Sequence, residues 1–414
     1  MEVRVHPEDT GFLTTEDGTD EREDWPMDTV HREEQLDATA AHYRSLAAEL
    51  LTGAPEGDFR ARWRRLASSG LLRTPRERQH RDRDKDPGTG PVSHAVAAIE
   101  GIGLAGTEPG LCYAFASQLC GIQLPLFRLL SEAQHAMLAG VEDGTALLCH
   151  ASTETGGGSD PLSGEVRAER QPDGSYRLHG TKSFITAAPV ADVGLVFART
   201  GEGRSPFALS AFLVDLADDT VTRGARVTKT ALKDAPMGSL TFTGTAVPAD
   251  ALVGAEGSGL TVLGATTTWE RALLLAYALG PMQLLLDRVV AWAGTRHHFG
   301  RAMGSSHQVA ARVSDMALRL ERSRTMVRAM AARLDQGGSV RRLSSAAALT
   351  KISVSEDYVA LTRHATALAG VRAFVEDSGL TASLADPMAA LTYAGPNDLL
   401  SVAVARDLGL PVEN

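Results

Sequence analysis

Cysteine is scarce in this chain. Its 414 residues include three cysteines, Cys112, Cys120 and Cys149, and none of them forms a CxxC pair or has the Cys/His spacing of a zinc site. Disulfide-stapled and zinc-bound folds are therefore not expected. We predict three buried free thiols and no metal site.

Long apolar runs and an excess of positive charge are also lacking. No apolar run reaches the roughly 18–20 residues that span a bilayer, and the N-terminal stretch MEVRVHPEDTGFLTTEDGTDEREDW lacks the apolar core of a signal peptide. Asp plus Glu number 51 against 41 Lys plus Arg, a formal net charge of −10, whereas nucleic-acid binding relies on basic surface. We expect a cytoplasmic protein that binds neither membrane nor nucleic acid.

The apolar pattern divides the chain into helical, β and helical segments. Residues 1–35 are acidic and poor in apolar side chains, which predicts a disordered leader. Residues 36–149 have helical spacing, whereas residues 150–255 hold short β-rich runs bounded by turn residues. The helical period returns over residues 256–414. The order predicts an α+β protein of three domains after the leader.

The C-terminal segment carries wide apolar stripes. One of them recurs at steps of four, three, four and three residues and consists of Leu275, Leu279, Met282, Leu286 and Val289. Such stripes are typical of long amphipathic helices that pack together. They predict a four-helix bundle.

A glycine loop, HASTETGGGSD over residues 150–160, lies where the pattern changes from helical to β. It is not a GxxxxGK[ST] phosphate loop, and it is not a GxGxxG turn between a strand and a helix. Nucleotide binding by a P-loop or Rossmann domain is therefore unsupported. Taken alone, the loop is typical of a flexible surface turn.

Four collinear motifs resemble those of the acyl-CoA dehydrogenase family. Residues 153–160 resemble its TEPGAGSD segment and residues 182–186 its K-x-W-I-T segment. Residues 296–300 resemble R-x-x-F-G, and His307-Gln308 resembles H-Q. The resemblance runs in order from about residue 40 to 410. It implies an N-terminal helical domain, a middle β-barrel-like domain and a C-terminal four-helix bundle.

The resemblance also implies FAD as the cofactor, with contacts carried over position by position. The residues that line the flavin and the mouth of the thioester site would be Thr153, Gly158, Ser159, Phe184 and Thr186. Those that reach the FAD of a neighbouring subunit would be Arg296, Phe299 and Gln308. Those that meet the substrate would be Ser159, Arg271, Tyr393 and Gly395.

The position of the catalytic base is the main departure within these motifs. Most of the family has a glutamate in a late Y-E-G-T segment, where this chain has Ala394, which cannot accept a proton. Members resembling isovaleryl- and long-chain acyl-CoA dehydrogenases carry the glutamate on an earlier helix, before an arginine. Here the matching residues are Glu270 and Arg271, so the resemblance implies Glu270 as the base. By residue type alone, a glutamate near a helix start is a solvated residue favoured by the helix dipole.

The implied reaction is FAD-dependent α,β-dehydrogenation of an acyl thioester on CoA or on an acyl carrier protein. An electron-transferring flavoprotein or O2 would reoxidise the flavin. A homotetramer or homodimer is expected, because Arg296 acting across a subunit boundary requires a second copy. The WER segment also resembles a branch that desaturates amino-acyl or acyl groups on carrier proteins.

A basic loop offers a docking role toward an acidic carrier protein. Its cations are Arg73, Arg76, Arg78, Arg81, Arg83 and Lys85. Opposite charges steer association, but acidic residues are interspersed, and a solvated loop with no partner is the plainer interpretation.

Late motifs of the family are altered in this chain. The turn L-G-G-x-G is replaced over residues 368–372, the arginine of R-D-A is missing before Asp386, and Pro396 replaces the threonine after Y-E-G. Two alternatives therefore stay open at this stage. One is a flavin monooxygenase or other tailoring enzyme on the same fold, and the other is a binding protein that has lost its flavin.

Overall fold

The computed structural model describes most of the chain. The described residues are 27–73, 90–127, 129–158, 160–337, 339–375, 378–380 and 383–412. Within these residues, helices come first and last and strands lie between them, so the predicted α+β class and order are confirmed.

The N-terminal helices contribute to two apolar clusters. They are α1 (Met27–Leu51), α2 (Phe59–Ala67), α3 (Pro91–Leu104), α4 (Pro109–Ala116) and the short α5 (Leu124–Leu126), α6 (Glu132–Met137) and α7 (Ala139–Glu142). Asp58 caps α2 by accepting from the Ala61 amide at 3.0 Å. The side chain of Trp63 in α2 is 1% exposed and packs against Phe115 of α4. The three cysteines are free and buried, as predicted.

The prediction of a disordered leader is wrong for residues 27–35, because these residues form the first part of α1. Two acidic side chains of this helix form ion pairs with a residue far along the chain, which composition could not reveal. Glu33 and Asp37 pair with Arg328 at 2.6 and 2.8 Å, and Leu36 is fully buried. Residues 1–26 lie outside the described residues, so the prediction for them stays open.

A π-helical turn, Ser117–Gln123, separates α4 from α5. Its wider winding is fixed by buried amides. The Gln118 side chain accepts from the Leu148 amide at 2.8 Å and donates to Gln123 at 3.0 Å, and Gln123 donates to the Leu72 carbonyl at 3.0 Å. Such turns are frequent at functional sites.

The middle domain is an eight-stranded, mostly antiparallel sheet. Its strands are β1 (Leu148–Ala151), β2 (Arg167–Arg170), β3 (Tyr176–Thr186), β4 (Val193–Arg199), β5 (Leu209–Asp215), β6 (Val221–Arg223), β7 (Met237–Val247) and β8 (Leu252–Val253). The order is β6-β7-β3-β2-β4-β5-β8, with β1 parallel to β4. The β3–β7 register shifts between Lys182 and Ile185. A bulge of this kind re-aims side chains, and here it lies beside the cavity described below.

The C-terminal helices pack as a bundle against the N-terminal helices. They are α8 (Gly259–Leu273), α9 (Ala276–Thr295), α10 (His307–Asp335), α11 (Val340–Ala369), α12 (Ala385–Ala390) and α13 (Asn397–Asp407). A two-stranded hairpin, β9 (His297–His298) with β10 (Arg301–Ala302), joins α9 to α10. All five residues of the predicted stripe from Leu275 to Val289 are buried.

One helical stretch has the length and composition to cross a membrane. It runs over Gly259–Thr295, and 67% of its most apolar window is buried inside the protein. Close packing explains this apolarity. A Cβ on Gly280 of α9 would lie 2.4 Å from the backbone of Gly103 in α3, so the two helices meet backbone to backbone. The stretch is therefore a core element of this fold.

Candidate active site

A cavity of about 720 Å³ lies where the sheet meets the helices. Its walls come from the π-helical turn, β1, the glycine loop, the end of β3, α8 and residues 392–396. The sequence-predicted residues that line it are Thr153, Gly158, Phe184, Thr186, Glu270, Arg271, Tyr393 and Gly395. The fold therefore brings together residues from four separate segments of the sequence.

The glycine loop is anchored by a buried ion pair. Glu154 accepts from the Lys182 ammonium of β3 at 2.6 Å, and their side chains are 9% and 3% exposed. The Glu154 carboxylate also accepts from the amides of Glu165 and Val166 at 2.6 and 3.2 Å. Burial raises the pKa of Glu154, but the Lys182 charge and these hydrogen bonds outweigh it and leave the pKa lowered. The loop is thus a fixed part of the wall, rather than a flexible surface turn.

Gly157 and Gly158 line the cavity with backbone alone, whereas Gly156 does not line it. A Cβ on Gly158 would lie 3.2 Å from Thr153 Cγ2, and the side of Gly156 is open. The carbonyl of Thr153 accepts from the Ser183 amide at 2.9 Å, which ties the loop to β3. Ser159 lies outside the described residues, so its predicted contacts with flavin and substrate stay predictions.

The end of β3 presents an aromatic face to the cavity. Phe184 lies in the bulge with φ 58°, and its side chain remains 57% exposed. Ala187 also has a positive φ of 64°. Non-glycine residues in this backbone region concentrate at functional sites. Between them, Thr186 hydrogen-bonds with the Tyr113 hydroxyl.

The lining suits a flavin. It supplies an exposed aromatic side chain at Phe184, hydroxyls at Thr153 and Thr186, and backbone made accessible by Gly157 and Gly158. An aromatic face can stack on a flat ring, and the cavity is within the usual size range of cofactor sites. FAD would be held on this side by these residues.

Two carboxylates line the cavity: Asp160 pairs with Arg204 at 2.7 Å, whereas Glu270 forms no ion pair among the described residues. The Glu270 side chain, from α8, lies against the π-helical turn, where a Cβ on Gly121 would be 3.4 Å from Glu270 Cγ. Within the described part of the chain, the carboxylate has no hydrogen-bond partner. Burial raises its pKa to about 7, while the charges of Arg271 and Lys351 act to lower it. A half-desolvated carboxyl of this kind is suited to accept a proton near neutral pH.

Two cations hold the segment that contains the vacant base position. Arg271 Nε donates to the Ala394 carbonyl at 2.9 Å, and Lys351 Nζ donates to the Gly395 carbonyl at 2.8 Å. Ala394 and Gly395 both have positive φ, 53° and 99°. Tyr393 is fixed below them by a 2.7 Å hydrogen bond to the Tyr277 hydroxyl. Arg271 therefore contacts this loop through Nε while it also lines the cavity, and its predicted contact with the substrate stays a prediction.

Two tyrosines, Tyr113 and Tyr393, form the floor of the cavity beside Glu270, and the fully buried Tyr277 packs behind them. Tyr113 packs edge-on against Tyr277 at 5.5 Å and against Tyr393 at 5.0 Å between ring centroids. Burial and the neighbouring Glu270 charge raise the pKa of Tyr113, so its hydroxyl stays protonated. On the opposite wall, burial and the Lys182 charge lower the pKa of His150 to about 4, which keeps that imidazole neutral.

Three predicted cofactor residues lie away from the cavity. Arg296 follows α9, Phe299 is fully exposed at the tip of the β9–β10 hairpin, and Gln308 is exposed at the start of α10. Phe299 and Gly300 both have positive φ, as a two-residue hairpin turn requires. None of the three is among the described residues that line the cavity, so their predicted role depends on a second subunit.

Comparison with known proteins identifies the family. The model for the acyl-CoA dehydrogenase C-terminal domain matches residues 257–409, and the model for the middle domain matches residues 149–245. An L-prolyl-[peptidyl-carrier protein] dehydrogenase of Pseudomonas fluorescens is 32% identical over 356 residues, which cover 85% of this chain and 91% of that protein. The chain belongs to the acyl-CoA dehydrogenase family.

Other members support the same placement. An L-prolyl-[peptidyl-carrier protein] dehydrogenase of a Serratia species is 30% identical over 334 residues, covering 78% of this chain and 85% of that protein. Among solved structures, the FAD complex of PigA superposes with a TM-score of 0.81 at 26% identity, covering 94% of this chain and 99% of PigA. The family and fold predicted from the four motifs are confirmed.

Sequence reasoning missed several features of this acyl-CoA dehydrogenase site. The Glu154–Lys182 pair lies inside two recognised motifs, so pairing the glutamate of one with the lysine of the other could have found it. Lys351 lies in a plain helical stripe and gave no signal. The π-helical turn likewise left no pattern, because its cause is a set of long-range amide bonds to Gln118 and Gln123.

Proposed function

We propose that this protein is an FAD-dependent dehydrogenase that forms an α,β double bond in an acyl thioester, with Glu270 as the α-proton base. Family membership and FAD-bound relatives support the cofactor and the reaction. The observation that carries the role of Glu270 is its isolation: it is an unpaired carboxylate in the cavity, while the family's other base position is Ala394.

The proton step follows from the surroundings of Glu270. Its pKa of about 7 means that a large share of the carboxyl is ionised at neutral pH and that it remains a strong enough base to act. It takes the proton from Cα, and the electron pair of that bond moves toward the thioester carbonyl. FAD, when bound, supplies the acceptor for the hydride that leaves Cβ.

Backbone amides of the late segment can stabilise the charge that develops on the carbonyl oxygen. Ala394 and Gly395 line the cavity, and neither amide N–H has a hydrogen-bond partner among the described residues. Their carbonyl oxygens are taken by Arg271 and Lys351 at 2.9 and 2.8 Å. Free amide donors of this kind act as an oxyanion site.

The acyl group is proposed to be compact and carried by a carrier protein. Tyr113 and Tyr393 line the cavity floor beside Glu270, with Tyr277 packed behind them, and this aromatic floor favours a compact acyl group over a long alkyl chain. Two relatives of at least 30% identity are named for L-prolyl groups on a peptidyl-carrier protein. Of the predicted basic docking loop, all cations except Arg73 lie outside the described residues, so its role remains a prediction.

A homotetramer or homodimer remains part of the proposal, as does cytoplasmic location. The exposed hairpin with Phe299 at its tip, flanked by Arg296, is available to a second copy. An electron-transferring flavoprotein is a proposed oxidant, with O2 as its competitor.

A product assay tests the proposed reaction. The holoenzyme is incubated with prolyl-carrier protein, butyryl-carrier protein and butyryl-CoA, with a dye as final electron acceptor, and the acyl groups are analysed by mass spectrometry. Loss of two hydrogens is expected, fastest for the prolyl-carrier protein. Incorporation of oxygen instead of hydrogen loss would point to a monooxygenase and contradict the proposal.

A further inference from the structure

Lys351 is a buried ammonium that no carboxylate neutralises. Its side chain, on α11, is 1% exposed, and it forms no ion pair within the described ranges. Its Nζ donates to the Gly395 carbonyl at 2.8 Å and to Asn397 Oδ1 at 2.7 Å. Burying an unpaired charge is costly, and burial lowers the pKa of Lys351 to about 8. A core position of a helical bundle would ordinarily hold an apolar residue. The buried ammonium therefore indicates a role other than packing.

The contacts of Lys351 converge on the segment opposite Glu270. Asn397, which begins α13, is itself fixed by donating to Ser355 at 3.0 Å and to Glu356 at 3.1 Å. The ammonium therefore has a rigid second partner. Lys351 and Arg271 each hold one of two successive carbonyls, at Gly395 and Ala394.

Both backbone positions need such support. Ala394 is a non-glycine residue with φ 53°, in the left-handed region, and this conformation persists only where the surroundings fix it. With the two carbonyls bound from the helix side, the amide N–H groups of the same residues stay free at the cavity wall.

We propose that Lys351 is a positioning residue for thioester oxidation, which holds the Ala394–Gly395 segment in place for the substrate carbonyl and supplies positive charge that keeps Glu270 ionised. The inference rests on the proposed function of Glu270. It adds a residue outside the cavity lining to the machinery of the reaction, together with a charge that no motif contained.

The electrostatic part depends on every charged or titratable group around Glu270. Arg271 on α8 and Lys351 on α11 both favour its ionised form, and Tyr113 on α4 faces it as a neutral phenol. Glu356 favours the charged form of Lys351 and so helps to retain this positive charge. Removing the Lys351 charge leaves Arg271 as the cation favouring the Glu270 carboxylate, so more of the carboxyl is protonated at a given pH.

The test uses deuterium exchange at Cα, a proton step separate from hydride transfer. The probe is a 3-thia-acyl pantetheine thioester, in which sulfur replaces Cβ so that no hydride can leave. Exchange in D2O is followed by mass spectrometry from pH 5 to 9 with holoenzyme. In Lys351→Met, the acidic limb of the pH profile should move up by about 0.5–1 pH unit, and the maximal exchange rate should fall about 10- to 100-fold.

Three variants separate positioning from general damage. Lys351→Arg retains the charge, so the acidic limb of its pH profile should lie at the same pH as in wild type. Asn397→Asp places a carboxylate beside the ammonium and should raise the limb without removing the lysine, so the test survives if Lys351→Met does not fold. Lys229→Met is the matched control, because Lys229 also holds a loop carbonyl, that of Ala235 at 2.6 Å, and its limb should not move.

The outcomes distinguish this inference from the proposed function. If wild type exchanges and Glu270→Gln does not, the base is established. If folded Lys351→Met and Asn397→Asp then keep the wild-type limb, the role of Lys351 is overturned alone. If wild type shows no exchange at any pH, the proposed function itself fails.

Discussion

The Glu154–Lys182 pair makes a quantitative prediction about the glycine loop. Lys182→Met leaves the Glu154 carboxylate, which is 9% exposed, without its cation. Removing one partner of a buried ion pair costs about 3–5 kcal/mol, since the remaining charge is uncompensated. The loop should therefore open more easily than in wild type by that free energy.

Hydrogen exchange measures this opening where it occurs. The Ser183 amide donates to the Thr153 carbonyl at 2.9 Å, and the Val166 amide donates to Glu154 at 3.2 Å, so both protons report the anchoring of the loop. Their exchange should speed up by at least about 100-fold in Lys182→Met, which corresponds to roughly 3 kcal/mol. FAD affinity should fall in parallel.

A control variant and the pH dependence complete this prediction. Arg204→Met breaks an ion pair of similar length with Asp160, 2.7 Å, whose side chains are 67% and 45% exposed, and should change stability by less than about 1 kcal/mol. Because folding lowers the pKa of Glu154, the buried pair stabilises above the ordinary carboxyl pKa and is lost as the pH falls through the lowered one. Unchanged exchange in Lys182→Met at pH 7 would refute the reasoning.

Three further predictions concern the cavity. Gly121→Val should lower kcat about tenfold with a folded circular dichroism spectrum, because even a Cβ there lies 3.4 Å from Glu270 Cγ; Gly121→Ala should be milder. Tyr113→Ala should extend the preferred acyl chain, as measured by kcat/KM over a series of carrier-protein thioesters, and an unchanged series would contradict the tyrosine floor. The kcat of wild type should rise through pH about 7 as Glu270 ionises, and a rate independent of pH between 5 and 8 would exclude that carboxyl as base.

The motifs predicted the family and most of the cavity because they are short and local. Thr153, Phe184 and Glu270 belong to three separate segments, and the matches of these segments gained their weight from occurring together and in order. Their order along the chain then implied the fold. The buried stripe of α9 was predictable for the same reason, since helical period is a local property.

What sequence reasoning missed depends on contacts between distant residues. Lys351 meets Gly395 through the packing of α11 on the late segment, and nothing near either residue signals the other. The disordered leader was wrong over residues 27–35 because Arg328, about 300 positions away in the chain, neutralises Glu33. The hydrogen bond from Arg271 Nε to the Ala394 carbonyl likewise joins residues more than 100 positions apart, and no motif indicated it.

Anaerobic mixing of holoenzyme with prolyl-carrier protein tests the central claim most directly. Wild type should lose its oxidised-flavin absorbance in a single turnover, and Glu270→Gln, which keeps the shape but cannot take a proton, should lose it at least about 1,000-fold more slowly while binding FAD equally. Equal rates in the two proteins, or no change in wild type with any thioester, would contradict dehydrogenation by Glu270.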